Sequence, residues 1–239
     1  MARNVTTPSA RPDVALTVDP VVLGVEGDAL HVLAVRRARA PFQGRWALPG
    51  GFVEPTEDLP AAARRELAEE TGLTRAVRHL EQLGAYGSPR RDPRGRVVSV
   101  AYLALVVGTP EVTGGDDAAA AQWWPVEGLL AHPRTIAFDH ATVIRAAVAR
   151  LRERIATTSV AATLVPREFT VGELRRVYEA VWGVPVDARN FHRKVTGMPG
   201  LLEPTGKTTT RHGGRPAQLY RRGRAERIDP PMSGAVSAS

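Results

Sequence analysis

Two apolar stretches, Val14 to Val25 and His31 to Val35, flank Gly27-Asp28, a pair suited to the positive φ of a tight turn, and together they predict a β-hairpin. Leu59 to Thr71 is rich in Ala, Leu and Glu, starts behind Pro55 and Thr56, and meets Gly72 where a left-handed cap would sit, which predicts a helix. Val97 to Val107 is an apolar run rich in β-branched and aromatic residues. It follows the turn-like Ser88-Pro89-Arg90-Arg91-Asp92-Pro93-Arg94-Gly95, so a strand is expected after an exposed loop, and Ala119 to Val126 adds another strand. From Asp139 to Ile155 the period changes: Ile144, Val148, Leu151 and Ile155 recur three or four apart, as one face of a helix requires. Phe169 to Trp182 gives a further amphipathic helix, Asp187 to Val195 another, and Leu201 to Tyr220 a hairpin tipped by Gly213-Gly214.

Helix, helix, helix, hairpin is the element order of a winged helix-turn-helix, whereas the first half mixes strands with helices, so an α+β protein of two domains is expected. The expected division is a ligand-binding domain over residues 13–157 and a DNA-binding domain over 158–223. Residues 1–12 and 224–239 are short, rich in Pro, Ser, Gly or Arg, and lack an apolar period that would offset ordering, so flexible tails are expected there. The charge supports the division. Residues 1–159 hold 19 Arg against 18 acids, while residues 160–239 hold 13 Lys or Arg against 7 acids, so most of the net +7 lies in the second half. Such concentration fits a polyanion-binding module. No apolar run approaches the ~20 residues of a membrane span, cysteine is absent, and MARNVTTPSARPDV has no apolar stretch after its basic residues. A cytoplasmic protein without disulfides or a secretory leader is therefore expected.

Glu66, Glu69 and Glu70 fall at positions i, i+3 and i+4 of the first predicted helix, so their carboxylates project from adjacent turns on one side. Like charges so placed repel unless something takes up the charge. Two arrangements meet that need: a hard divalent cation, Mg²⁺ or Mn²⁺, or a solvated acidic face balanced by Arg64 and Arg65.

The surrounding spacing is more specific. Gly51, five residues, Glu57, seven residues and then Arg65-Glu66-Leu67-Ala68-Glu69-Glu70-Thr71-Gly72-Leu73 matches every fixed position of the Nudix box, and the stretch resembles the Nudix hydrolase superfamily. That resemblance implies a mixed sheet between helices and cleavage of nucleoside diphosphates linked to another group. It assigns the metal to Glu66, Glu69 and Glu70 with Glu57 in support, and in active relatives one helix carboxylate also serves as base. Gly50 and Gly51 would let the loop approach phosphate oxygens. Arg36, Arg37, Phe42, Arg91 and Tyr102 are candidate ligand contacts, and Trp46 would either stack a base or fill the core.

In the basic half, Thr170 and Glu173 have capping-box spacing, and the helix after Gly183-Val184-Pro185 carries Arg189, Asn190, Arg193 and Lys194 opposite an apolar Phe191 and Val195. Arginine pairs with guanine and asparagine with adenine in the major groove, so this is a candidate recognition helix, with Asn190 and Arg193 as base readers. Lys207, Thr208, Thr209, Thr210, Arg211 and Arg215 surround the hairpin tip and are candidate backbone contacts. A Nudix box followed by FTVGELRRVYEAVWG, NFHRKV and GRPAQLYRR resembles the NrtR family, the Nudix-related transcriptional regulators of NAD metabolism. The resemblance implies a homodimer that represses NAD synthesis or salvage genes by binding double-stranded operator DNA, released when ADP-ribose or a related NAD-derived nucleotide enters the Nudix pocket. Regulators of that family often carry degraded boxes. Here every carboxylate survives, which keeps an Mg²⁺-dependent ADP-ribose pyrophosphatase as the alternative function.

Overall fold

The computed structural model describes residues 13–73, 75–114, 118–211 and 215–233. The expected tail 1–12, the hairpin tip Gly213-Gly214 and residues 234–239 lie outside that set. Strands β1 (Ala15–Glu26) and β2 (Ala29–Arg37) form the expected hairpin, with Glu26 opposite Ala29 across a turn in which Gly27 has φ 58°. Two short strands, β3 (Trp46–Ala47) and β4 (Gly51–Phe52), precede helix α1 (Leu59–Thr71). Then come β5 (His79–Tyr86), β6 (Val97–Leu105), β7 (Ala118–Pro125) and the short α2 (Val126–Leu130). Strand β6 runs parallel to β1 from Ala15 beside Val97 to Leu23 beside Leu105, while the other pairings are antiparallel, so the sheet is mixed.

Alternation along β1 sends successive side chains to opposite faces. Val18 packs with Ala62 and Ala63 of α1, whereas Val21 and Leu23 join the cluster that contains Ile144 and Leu151 of α3 (His140–Thr157). The sheet is thus covered by a helix on each side. Strand β5 was not expected: HLEQLGAY shows no clean apolar alternation, and among the described residues it pairs with β6 alone, at the sheet edge.

The C-terminal part follows the expected order. Helices α4 (Val171–Trp182) and α5 (Ala188–Gly197) are followed by the antiparallel hairpin of β8 (Leu202–Thr209) and β9 (Ala217–Arg222). Thr170 and Glu173 form the reciprocal capping box at the start of α4, and Gly183, at φ 72°, ends it in the left-handed conformation that glycine adopts without a Cβ clash. No helix among the described residues is long and apolar enough to cross a membrane.

Helix α3 serves both halves. The same apolar cluster contains sheet residues Val21 and Leu103, Ile144, Leu151 and Ile155 of α3, Leu174, Val177 and Tyr178 of α4, and Phe191 of α5. Tyr178 Oη donates to the carbonyl of Ile155 at 2.9 Å, and Arg152 Nε to that of Val181 at 2.9 Å. The expected flexible tail needs correction as far as Met232. Ile228 N–H donates to Thr157 O at 2.9 Å, Met232 N–H to Ala156 O at 2.8 Å, and both side chains are buried beside α3. Two isolated apolar residues carry no period, so the sequence pattern concealed their anchoring.

Leu151 is fully buried in this shared cluster. We expect Leu151→Ala to cost about 2–5 kcal/mol and to lower a single calorimetric transition. Two separate transitions, with only the earlier one shifted, would contradict a shared core.

Candidate functional site

A cavity of about 430 Å³ opens between the sheet, α1 and the start of α3. Its wall is built from Asp19 of β1, Arg37 of β2, Gly50 and Gly51, Glu66, Glu69 and Glu70 of α1, the Arg91–Arg94 loop, and Phe138 and His140. Helix α1 is fixed at its start by Asp58, whose Oδ1 accepts from Ala61 N–H at 2.8 Å, and at its end by Gly72 at φ 72°. These caps set the rotation that turns Glu66 and Glu70, one turn apart, toward the cavity.

The carboxylates are arranged around one guanidinium. Arg65 Nη1 donates to Glu66 Oε1 at 2.8 Å and Glu69 Oε2 at 3.0 Å, Nη2 to Glu57 Oε1 at 2.7 Å, and Nε to Glu57 Oε2 at 3.1 Å. Glu57 therefore supports the cluster through Arg65 without lining the cavity, and the hydrogen bonds from Arg65 hold its carboxyl below the usual range. Glu70 stands apart from Arg65. Its Oε2 accepts from Gly50 N–H at 3.0 Å, and burial pushes its pKa up to about 7 despite that bond. Burial likewise raises Glu66. A Cβ on Gly51 would collide with the Glu66 carboxylate, so glycine there is what lets the loop lie against the acids. The donor chemistry suits a hard divalent cation, but among the described residues no group of three or more His, Cys, Asp or Glu converges closely enough to hold one. Arg65 instead supplies the positive charge shared by Glu57, Glu66 and Glu69.

The opposite wall was largely missed by sequence reasoning. Arg91, expected as a solvent-facing ligand contact, is buried: Nε and Nη2 donate to the two oxygens of Asp139 at 3.0 and 2.8 Å, and Nη2 also to Asp19 Oδ2 at 3.2 Å. Asp19 additionally accepts from Ser99 Oγ and lies 3.6 Å from His140 Nε2. Burial disfavours its charge, but His140, Ser99 and Arg91 outweigh that and hold its pKa low. His140 Nδ1 accepts from Leu48 N–H at 2.8 Å. An aspartate inside the apolar run of β1 was the available signal for this wall.

Gly50, Gly51, Arg37 and Arg91 of the expected ligand contacts do line the cavity. The others do not. Arg36 is exposed and donates to Gly44 O at 3.2 Å, and Phe42 meets Phe138 edge-on at 4.8 Å, one layer behind the wall. Tyr102 is buried with Val18, Ala62, Ala63 and Val100 beneath α1, because its position on β6 faces that helix. Trp46 takes the core alternative and stands edge-on to Trp124 at 5.3 Å.

On the C-terminal surface, Arg189, Asn190 and Arg193 are exposed along α5 while Phe191 and Val195 are buried, so the helix presents its polar side outward. Asp187 caps α5 by accepting from Asn190 N–H at 2.7 Å, and Arg193 Nη2 donates to Asn190 Oδ1 at 2.9 Å. Lys194 is turned aside, its Nζ donating to Pro231 O at 2.7 Å. Three basic residues in and around the hairpin are internally paired: Lys207 of β8 and Arg221 of β9 with Glu168, and Arg211, just past β8, with Glu173. Any role of Lys207 or Arg211 on a polyanion must compete with those acids. Thr208, Thr210 and Arg215 are exposed and Thr209 half-buried.

Residues 15–147 match the family model described as NUDIX domain, and residues 161–222 the one described as NrtR DNA-binding winged helix domain. An ADPR responsive transcriptional repressor of Acinetobacter baylyi is 35% identical over 88% of this chain and 82% of its own. NrtR of Shewanella oneidensis, solved with a 27mer DNA, superposes with a TM-score of 0.77 at 33% identity over 91% of this chain and 99% of that one. Its NUDIX domain, solved with ADP ribose, superposes with a TM-score of 0.55 at 36% identity over 62% of this chain and 94% of that one.

The raised pKa of Glu70 sets a stability test. A carboxyl whose folded pKa, about 7, exceeds its ordinary 4.5 stabilises the fold below the lower value and loses that contribution as pH rises through the higher one. In EDTA, Glu70→Gln should melt higher than the parent at pH 8 and level with it near pH 4.5, as read by calorimetry. A difference independent of pH would refute the assignment.

Proposed function

The chain belongs to the NrtR family, a Nudix domain joined to a DNA-binding winged helix, and on that premise we propose that it is an ADP-ribose-responsive transcriptional repressor of genes for NAD synthesis or salvage. The observation that carries the reading is the presence, on one chain with one continuous core, of a polar cavity beside the Nudix carboxylates and an exposed Arg189–Asn190–Arg193 face on α5. The cavity takes ADP-ribose or a related NAD-derived nucleotide, with Gly50, Gly51, Arg37 and Arg91 nearest its diphosphate. The helix face enters the major groove of double-stranded operator DNA, Arg189 and Arg193 providing positive charge and Asn190 base contact. Exposed Thr208, Thr210 and Arg215 would contact the sugar-phosphate backbone. Residues 13–157 act as the sensing domain and 158–223 as the reading domain, in the cytoplasm.

A homodimer matches two half-sites on the operator. Exposed Val14 and Leu16, two residues apart at the start of β1, support an apolar contact between copies. Mg²⁺ or Mn²⁺ would be held by Glu66, Glu69 and Glu70 once Arg65 yields part of its hold, and would neutralise diphosphate charge.

Binding to fluorescent DNA from the chain's own promoter, read by anisotropy, tests the first reading. Affinity should fall steeply with salt and with added ADP-ribose, and Arg193→Ala should weaken it by about 1–3 kcal/mol. Binding that ignores sequence, salt and ADP-ribose alike would remove the repressor reading. The complete set of box carboxylates supports a second function, slow ADP-ribose hydrolysis that clears the inducer. AMP release with Mg²⁺ that disappears in Glu70→Gln would establish it; release equal in both proteins would dismiss it.

A further inference from the structure

Helix α3 begins in an unusual way. Asp139 holds its N-cap position, where an acidic side chain ordinarily accepts from a backbone N–H of the first turn, yet its side chain makes no capping bond. Both its oxygens are instead taken by Arg91, as a fork-to-fork pair at 3.0 and 2.8 Å. The residues on either side of Asp139 belong to the cavity wall: Phe138, with φ 52° in a region that bulky side chains rarely adopt, and His140. The cavity wall and the first turn of α3 are therefore one continuous piece of chain.

We propose that the Arg91–Asp139 pair is a latch through which a diphosphate-bearing nucleotide in the cavity re-seats α3 and thereby changes the DNA-reading surface. The proposal rests on the function given above and supplies its regulation. Arg91 lines the cavity although its side chain is only 3% exposed. Nε and Nη2 are spent on Asp139 and Asp19, and Nη1 makes no hydrogen bond among the described residues. A diphosphate is a strong bidentate acceptor for a guanidinium, so Nη1 offers it a first contact without any prior rupture. Once there, its negative charge stands beside two carboxylates that share the same cation, and the more exposed of them, Asp139 at 25% against 9% for Asp19, is the one free to move away. Released, Asp139 gains an alternative partner, since the N-terminal N–H groups and dipole of α3 favour a negative charge.

The far end of α3 conveys the change. An 18-residue helix is a rod of about 27 Å, and its last turns hold α4 through the Ile155 carbonyl to Tyr178 and Arg152 to the Val181 carbonyl. Helix α4 in turn packs on α5 through Tyr178 and Phe191, whose rings lie 5.1 Å apart. A small rotation at Asp139 thus reaches the exposed face of α5 through hydrogen bonds from α3 to α4 and ring packing from α4 to α5.

The test uses the full chain and compares wild type with Asp139→Asn, which keeps the volume but breaks the charge pair. ADP-ribose binding is read by calorimetry and operator binding by anisotropy, with and without ADP-ribose. Wild type should lose operator affinity by about 5–150-fold on adding ADP-ribose, the usual range of such coupling. Failure of wild type to respond would sink the proposed function itself. Given that response, Asp139→Asn should still bind ADP-ribose and DNA but show a change of about twofold or less. A wild-type-sized response, or loss of ADP-ribose binding, would overturn the latch. Should the variant fail to fold, hydrogen exchange on the wild-type protein decides: amides of residues 141–144 should change their protection when ADP-ribose binds, and release of DNA without any change there would overturn the proposal.

Discussion

The structure depends on α3 lying in one apolar core that the sheet and the winged-helix part share. Its Ile144 and Leu151 close one face of the mixed sheet, and Ile155 continues the same apolar cluster into α4 and α5. Because the interior is close-packed and deforms in discrete steps, such a helix cannot shift at one end and remain fixed at the other. A hinge of exposed residues would have left the two halves independent. The chain instead adds a second tie, the return of residues 224–232 along the end of α3 with Ile228 and Met232 buried.

Charge is handled by the same economy throughout. Arginines sit between carboxylates at two places, Arg65 among Glu57, Glu66 and Glu69 and Arg91 between Asp19 and Asp139, while Arg211 and Arg221 pair with Glu173 and Glu168. The solvent-facing pairs among these, such as Arg65–Glu69 and Arg221–Glu168, contribute little to stability, on the order of 0–1 kcal/mol each. Their value lies in exchangeability. Arg65 and Arg91 already hold a carboxylate in forked geometry, and phosphate competes for such donors. Both proposed ligands, a nucleotide diphosphate and a DNA backbone, carry that oxygen.

Much of the fold was legible because its elements obey a period and end on capping residues. Helix α1 runs between the expected Leu59 and Thr71 with Gly72 behind it, and Thr170 with Glu173 marks the start of α4. The carboxylate cluster was legible through spacing, since residues one turn apart share a helix face. What spacing within one segment cannot reveal is a partner contributed from afar. Arg91 was visible as a polar-loop cation, but Asp19 and Asp139 lie 72 and 48 positions away, and only the fold makes it a buried bridge. Tyr102 lies under α1 and not in the cavity for a related reason: which face of β6 points at the cavity is set by register with β1. Strand β5 and the buried Met232 carry no period to read.

If α3 carries ligand binding in the cavity to α5 so as to weaken DNA binding, DNA must weaken ligand binding by the same factor, because binding free energies are reciprocal. The decisive measurement is the affinity of ADP-ribose for the full chain, by calorimetry, with and without saturating operator DNA. We predict that DNA weakens ADP-ribose binding by the same factor by which ADP-ribose weakens DNA binding. Identical ADP-ribose affinity in both conditions would contradict the account.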